Sequence, residues 1–248
     1  MKIAVCLSNV PDTATKIKIS ADEKNIETAG VSFIINPYDE FAIEEALQTA
    51  EKNGGTVTYF TVGTDASKEM LRKALAMGGE DAVLIKTDAA SDSFTTASLL
   101  ADAIKPGAFD LVFCGKQSVD YDSGAVGILL GEMLGFNTVS VCVDFSLDGN
   151  KVTAVREIEG GKETVETSLP CLITAQKGLN TPRYANVKGI MAAKKKPLNE
   201  NSGAQVNVKT QTIKLIPPAA KSAGRILGTD VSVIPELVRL LREEAKVI

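Results

Sequence analysis

The stretch Phe109-Asp110-Leu111-Val112-Phe113-Cys114 runs straight into Gly115-Lys116-Gln117-Ser118-Val119-Asp120-Tyr121-Asp122-Ser123-Gly124-Ala125-Val126-Gly127, and this junction decides the fold. The first part is an apolar run of strand length. The last part opens an apolar segment, Gly124 to Leu134, of helical length. A strand feeding a loop and then a helix is the repeating unit of a parallel α/β sheet. Ligands of such sheets sit beyond the carboxyl ends of the strands, near a reversal of strand order. The start of the helix offers unbonded N–H groups and a positive dipole end, which suits a phosphate. Gly124 and Gly127 are expected to let the backbone approach a ligand closely. No G-K-[ST] follows a four-residue gap, so this is not a Walker A loop. The plain alternative is a long loop with a glycine-punctuated helix start.

The same alternation extends towards the N-terminus. Lys2 to Ser8, Thr56 to Val62 and Asp81 to Lys86 are further buried-strand runs. Asn36-Pro37-Tyr38-Asp39 has the pattern of a helix start, with Asn36 as N-cap, Pro37 at the first helical position and an acid in the first turn. Ile43, Ala46, Leu47 and Ala50 then share one face, and Gly54-Gly55 ends the helix. Ser67 to Met77 and Phe94 to Ile104 predict two more helices. The fold class is therefore α/β, a doubly wound and mostly parallel sheet, with the loops after Ser8, Val62 and Cys114 as the places to look for a ligand.

Beyond about Val139 the pattern changes. Thr138 to Ser146, Lys151 to Glu159 and Lys162 to Thr167 predict strands separated by the turn signals Asp148-Gly149-Asn150 and Gly160-Gly161, so antiparallel strands are appended to the parallel sheet. Pro170 to Gln176 is one more apolar run. Leu179 to Pro197 has no sustained period and reads as an exposed loop. A further strand is expected from Val206 to Ile216. A last helix is expected near Pro235, with Leu237, Val238, Leu240 and Leu241 on one side. The nucleotide-type domain then spans residues 1–225, and 226–248 form a C-terminal arm.

Composition excludes several chemistries. The 248 residues include no histidine, which removes His-based triads and His metal ligands. Cys6, Cys114, Cys142 and Cys171 form no C-x-x-C pair, so zinc and iron–sulfur sites are not expected, and the four read as buried thiols. The net charge of −4 gives no drive for nucleic-acid binding, and no apolar run is long enough for a membrane span. The N-terminus reads as a strand rather than a targeting peptide, so a cytoplasmic, prokaryotic setting is expected. Lys194-Lys195-Lys196 is either a solvated run or, beside Ile190-Met191, a charge that steers an acidic partner.

Taken in order, several segments carry a resemblance. They are Asn36-Pro37-Tyr38-Asp39 with Glu44-Glu45-Ala46, Lys73-Ala74-Leu75-Ala76-Met77-Gly78, Gly115-Lys116-Gln117 with Asp120 and Asp122, and Arg156-Glu157-Ile158-Glu159-Gly160-Gly161-Lys162-Glu163-Thr164. The most specific is Leu179-Asn180-Thr181-Pro182-Arg183-Tyr184 running on to Gly189-Ile190-Met191-Ala192-Ala193-Lys194-Lys195-Lys196-Pro197. The chain resembles the beta subunit of electron transfer flavoprotein over nearly its whole length.

The resemblance implies an electron carrier rather than an enzyme, in a heterodimer with an alpha subunit that holds most of the FAD. It implies a structural AMP in this chain, electrons accepted from acyl-CoA-type or other flavin dehydrogenases, and delivery to a quinone reductase. In a bifurcating branch, which uses NADH, a second FAD replaces the AMP. By the resemblance the AMP pocket falls on Cys6, on Asn36, Pro37, Tyr38 and Asp39, on Val62, and on Gln117, Asp120, Asp122, Ser123, Gly124, Ala125, Val126, Gly127 and Ile128. The recognition loop falls on Leu179 through Pro197, with Leu179, Pro182, Arg183, Tyr184, Ile190, Met191 and Lys194 to Lys196 as partner-facing residues. Its anchor, commonly leucine, falls on Val187. A glutamate that pairs with an alpha-subunit arginine falls on Glu157. Where many members have Asn-Gln-Thr-Gly, this chain has Gly124-Ala125-Val126-Gly127, which leaves the phosphate to backbone N–H groups or to the alpha subunit. A competing reading is a stand-alone nucleotide sensor of stress-protein type, which would have no use for the late strands or for the loop from Leu179.

Overall fold

A computed structural model describes residues 1–87, 92–220 and 223–248. The apolar runs become the central strands of a nine-stranded sheet. These are β1 (Lys2–Cys6), β4 (Thr56–Gly63), β5 (Asp81–Lys86), β6 (Leu111–Gly115) and β10 (Cys171–Ala175). The small pair β2 (Asn9–Pro11) and β3 (Phe33–Ile35) forms an antiparallel hairpin outside the main sheet. The sheet order is β11-β5-β4-β1-β6-β10-β7-β8-β9, where β7 is Asn137–Asp148, β8 Lys151–Ile158, β9 Gly161–Ser168 and β11 Leu198–Ser202. Every neighbouring pair from β11 to β7 is parallel, and β7-β8-β9 is an antiparallel meander. The expected α/β class with appended antiparallel strands is therefore what the chain forms.

Alternation along β1 separates two cores. Ile3 and Val5 face helices α1 (Pro37–Asn53) and α2 (Ser67–Met77), while Ala4 and Cys6 face α3 (Ser93–Ile104) and α4 (Val126–Leu134). The sheet is thus covered on both faces, which is why its central strands read as unbroken apolar runs. Phe113 and Leu172 are among the fully buried large side chains and lie on opposite faces.

Two expectations fail. No strand forms over 206–216, despite its alternating pattern. The strand that does pair with β5 is β11, Leu198-Asn199-Glu200-Asn201-Ser202. An edge strand exposed along one side needs little apolar content, so a search for buried runs passes over it. Leu179 to Pro197 is not wholly irregular either. It contains α5 (Val187–Ala193), capped by Asn186, whose side chain accepts from the Gly189 N–H at 2.8 Å. A side chain at Gly189 would run into the carbonyl oxygen of Ala76, so glycine is what lets α5 lie against α2. The last helix, α6 (Ile234–Glu243), begins where expected.

Candidate functional site

The chain runs from β1 through β4 to β5 on one side, then returns to place β6 on the other side of β1. This is the reversal of strand order at which doubly wound sheets bind ligands. The loops after β1, β4 and β6 open there onto a cleft of about 1120 Å³.

One buried polar cluster sets the shape of the cleft floor. Asn36 does not cap α1 with its side chain as expected. Its Nδ2 instead donates to Asp39 Oδ1 at 2.9 Å and to the Gln117 carbonyl at 2.9 Å, and its Oδ1 accepts from the Val119 N–H at 3.2 Å. Asp39 Oδ2 accepts from the Ser8 N–H at 2.6 Å, and Oδ1 from the Gly115 N–H at 2.9 Å. Asn36 and Asp39 therefore stitch the end of β1, the start of α1 and the loop after β6 into one unit. Burial pushes the Asp39 carboxyl up to about 7, against the N–H donors of Ser8, Asn36 and Gly115, which favour the anion. A side chain at Gly115 would collide with Asp39 and Tyr38, so glycine permits this junction.

The loop itself is locally braced. The Asp122 N–H donates to the Ser118 carbonyl at 2.9 Å, and Gln117 Nε2 donates to Asp122 Oδ1 at 2.6 Å. Asp122 and Gly124 both adopt left-handed backbone, with φ of 52° and 60°. The loop then delivers the first turn of α4, where the N–H groups of Val126, Gly127 and Ile128 have no carbonyl four residues back within the helix. Ser123 Oγ lies 3.2 Å from Ser93 Oγ at the start of α3. Lys116 sits over the Tyr38 ring, 5.0 Å from its centroid.

Of the expected cofactor residues, Cys6, Asp39, Val62, Gln117, Asp120, Ser123, Gly124, Ala125, Val126 and Gly127 line this cleft. Asn36, Pro37, Tyr38, Asp122 and Ile128 do not line it. The first three form the start of α1 behind the floor, Asp122 braces Gln117, and Ile128 is largely exposed. Gly127 needs a correction. A Cβ there would meet Cys114 Sγ and Thr174 Cγ2, each at 2.8 Å. Its missing side chain serves the close packing of α4 on the sheet, not the approach of a ligand. Gly124 is the open one, with only the Lys116 carbonyl oxygen nearby at 3.7 Å. Burial raises the thiols of Cys6 and Cys114 well above the usual range, so the floor holds neutral thiols. Among the described residues no group of histidine, cysteine or carboxylate side chains could hold a metal, and no helix is long and apolar enough to cross a membrane.

Residues 24–205 match the family model of the electron transfer flavoprotein domain. The electron transfer flavoprotein subunit beta of Bacillus subtilis is 40% identical over 259 aligned residues, covering 100% of both chains. The subunit of the same name from Syntrophomonas wolfei is 38% identical, over 90% of this chain and 88% of its own. A caffeyl-CoA reductase-Etf complex subunit, CarD of Acetobacterium woodii, is 36% identical over 98% and 99%. The chain belongs to the electron transfer flavoprotein beta-subunit family. It is an electron-transfer subunit of a flavoprotein, and the reading as a sensor of stress-protein type is set aside: the match runs through the antiparallel strands and the segment from Leu179.

The segment from Leu179 to Pro197 takes a defined path here. Leu179 packs partly into the core, and Asn180 Nδ2 donates to the Phe41 carbonyl at 3.0 Å and to Glu45 Oε2 at 2.9 Å. Arg183 grips Glu44 through Nε at 2.8 Å and Nη2 at 3.0 Å, and reaches Glu51 through Nη1 at 2.6 Å. The segment thus follows α1 from its first turns to its last and then crosses to the C-terminal end of α2, so α5 lies at the opposite end of the sheet from the cleft. Tyr184, Val187, Ile190 and Met191 are exposed there, Tyr184 by 96%. The lysine run divides. Lys194 and Lys195 are exposed, whereas Lys196 Nζ donates to the Leu75 and Gly78 carbonyls at 2.9 and 3.3 Å, capping the end of α2. Lys196 is therefore no free steering charge. Arg183 is likewise committed within the chain. Glu157, near the end of β8, is exposed and accepts from Gln176 Nε2 at 2.9 Å.

Proposed function

We propose that the chain is the beta subunit of a heterodimeric, cytoplasmic electron transfer flavoprotein that carries a structural AMP in the cleft above β1, β4 and β6. The observation that carries this reading is the meeting of the three strand-end loops and the first turn of α4 on one cleft at the reversal of strand order. The fit to a nucleotide is good. The Val126 and Gly127 N–H groups and the Ser123 hydroxyl would hold a phosphate, and Gly124 leaves the approach open. The AMP does no redox chemistry. The FAD that accepts and passes on electrons is held mainly by the alpha subunit. This chain's part is to order the strand-end loops and to bring donor and acceptor surfaces to that flavin. Donor dehydrogenases of acyl-CoA type would dock on Tyr184, Val187, Ile190 and Met191, with Lys194 and Lys195 guiding approach. Glu157 would meet the alpha subunit, α6 would lie on it, and a quinone reductase would accept the electrons.

A second reading is favoured by the size of the cleft. About 1120 Å³ exceeds the ~300–1,000 Å³ usual for small-molecule sites. A cleft of that size also has room for a second FAD, as in a bifurcating complex that uses NADH. Denaturing the purified heterodimer and counting released nucleotides separates the two. One FAD and one AMP per heterodimer are expected. Two FAD and no AMP would favour the second reading, and neither AMP nor a second FAD would refute the cleft as a nucleotide site.

A further inference from the structure

One wall of the cleft comes from none of the strand-end loops. Val208 to Thr212 lie along it, beyond residue 205 where the match to the family model ends. The alternating pattern from Val206 to Ile216 finds no strand partner, yet its backbone is held at two points. At the first, Asp92 Oδ2 accepts from the N–H groups of Lys209 at 2.6 Å and Thr210 at 2.8 Å, and from the Thr210 hydroxyl at 3.2 Å. The other oxygen of the same carboxylate caps α3 by accepting from the Thr95 N–H at 2.8 Å. The Lys209 ammonium rests 5.0 Å from the centre of the Phe94 ring. At the second point the Leu215 N–H donates to the Glu23 carbonyl at 2.7 Å, and Lys214 pairs with the Glu23 carboxylate at 2.9 Å. Between these two anchors the chain passes along the cleft.

We infer that residues 208–212 are a strap forming the outer wall of the nucleotide site, and that Asp92 is the latch that lets the strap retain a bound nucleotide. The inference rests on the nucleotide reading given above. The strap lines the cleft with Val208, Lys209, Thr210, Gln211 and Thr212; with the Lys209 ammonium against Phe94 and the Thr210 hydroxyl on Asp92, the polar groups it has for a ligand are the Gln211 carboxamide and the Thr212 hydroxyl. These are partners for ribose hydroxyls and phosphate oxygens, not for an apolar ligand. A charged acceptor bonded to two successive backbone N–H groups is a strong fastening. Desolvation pushes the Asp92 carboxyl up, but the donors on Thr95, Lys209 and Thr210 more than offset it, and the group is held well below the usual carboxylate range. One side chain therefore ties the α3 start and the strap together.

The test uses the co-purified heterodimer. Asp92→Asn keeps an oxygen for the Thr95 N–H but turns an amide nitrogen towards the Lys209 and Thr210 N–H donors, which unlatches the strap. Thr210→Val removes only the hydroxyl contact and is the milder variant. Three quantities are measured: AMP and FAD per heterodimer, release of bound nucleotide after dilution into excess free AMP, and the rate of tryptic cleavage after Lys209. Release about tenfold faster or more in Asp92→Asn is expected, with a few-fold change in Thr210→Val and faster cleavage in both. Wild-type release in Asp92→Asn would overturn the strap as a wall of the site, even if cleavage rises. Wild-type cleavage in both variants would overturn the latch. A wild-type heterodimer with neither AMP nor a second FAD would overturn the nucleotide reading instead, and cleavage would still judge the latch.

Discussion

Residues 179–197 and residues 203–248 both set exposed apolar side chains near lysines. The folded body holds the first and leaves most of the second free. Arg183, Asn180 and Lys196 tie the first segment to α1 and α2, and Arg72 Nη1 donates to the Ala193 and Lys196 carbonyls at 2.5 and 2.7 Å. Ala193 is buried. In the second segment no described residue is buried, and Ile213, Ile216, Ile226, Val231 and Ile248 are all exposed. The difference teaches that periodicity does not decide whether an irregular segment belongs to the body. Buried partners for its polar side chains do. A segment without them needs another molecule to cover its apolar groups.

The comparison is sharpened most by Arg183→Ala. Burial pushes the Glu44 carboxyl up, but hydrogen bonds from Arg183 and Gln48 more than offset this, and the group sits below the usual glutamate value. Removing the guanidinium leaves a nearly buried carboxylate with only the Gln48 amide and the residue-183 N–H. The cost should be about 3 kcal/mol at pH 7 in the isolated chain. The sign with pH follows from the two environments. In the wild type the Glu44 contribution is present above the unfolded glutamate pKa and is lost as pH falls through its lowered folded value. In the variant, burial is no longer offset, the folded pKa rises, and stability falls as pH climbs past about 4.5. The deficit should therefore shrink towards pH 4. Urea midpoints of the two proteins at pH 4 and pH 7 check this. A deficit independent of pH would mean that Glu44 is not the group left behind.

A smaller effect divides the lysine run. Lys196→Ala removes two contacts to the last carbonyls of α2 and should cost about 1 kcal/mol. Lys195→Ala should stay within about 0.5 kcal/mol, because its ammonium has no partner among the described residues. Thermal melts of both variants test the division. Equal losses would return Lys196 to the solvated run that the sequence suggests.

These cases also mark what the sequence discloses. β1, β4, β5, β6 and β10 are legible because a sheet covered on both faces writes its strands as apolar runs. The three strand-end loops are legible as a site because topology alone places them together. β11 is not, since its residues are polar and its only demand is a free edge on β5. The hub at Asn36 and Asp39 is half legible: the pattern marks a helix start, but the partners Gly115, Gln117 and Val119 lie far along the chain. Gly127 misleads because a sequence does not say which way a missing side chain would have pointed. The strap is hidden for a similar reason, since its fastening is one distant carboxylate and not a period.

The smallest effect on the isolated chain, and the one that reaches furthest, is expected at α6. Ile234, Leu237 and Val238 are exposed on one side, while Arg239 pairs with Glu236 and Glu243, each at 2.8 Å. A helix of this length is marginal in water without a surface to pack on. The apolar side supplies no stability to the body, because none of its residues is buried there. Leu237→Asp should therefore leave the urea midpoint of the isolated chain within about 0.5 kcal/mol of wild type. In the heterodimer the same residue would be set into an apolar interface, where a carboxylate costs well over ~1.4 kcal/mol, so the dissociation constant for the alpha subunit should rise about tenfold or more. Two measurements on one variant thus separate the regions. A loss above about 1 kcal/mol in the isolated chain would mean that α6 folds onto the body in solution, and the contrast with residues 179–197 would break. An unchanged dissociation constant would move the contact with alpha elsewhere along 203–248, where Ile213, Ile216 and Ile226 are among the apolar side chains exposed.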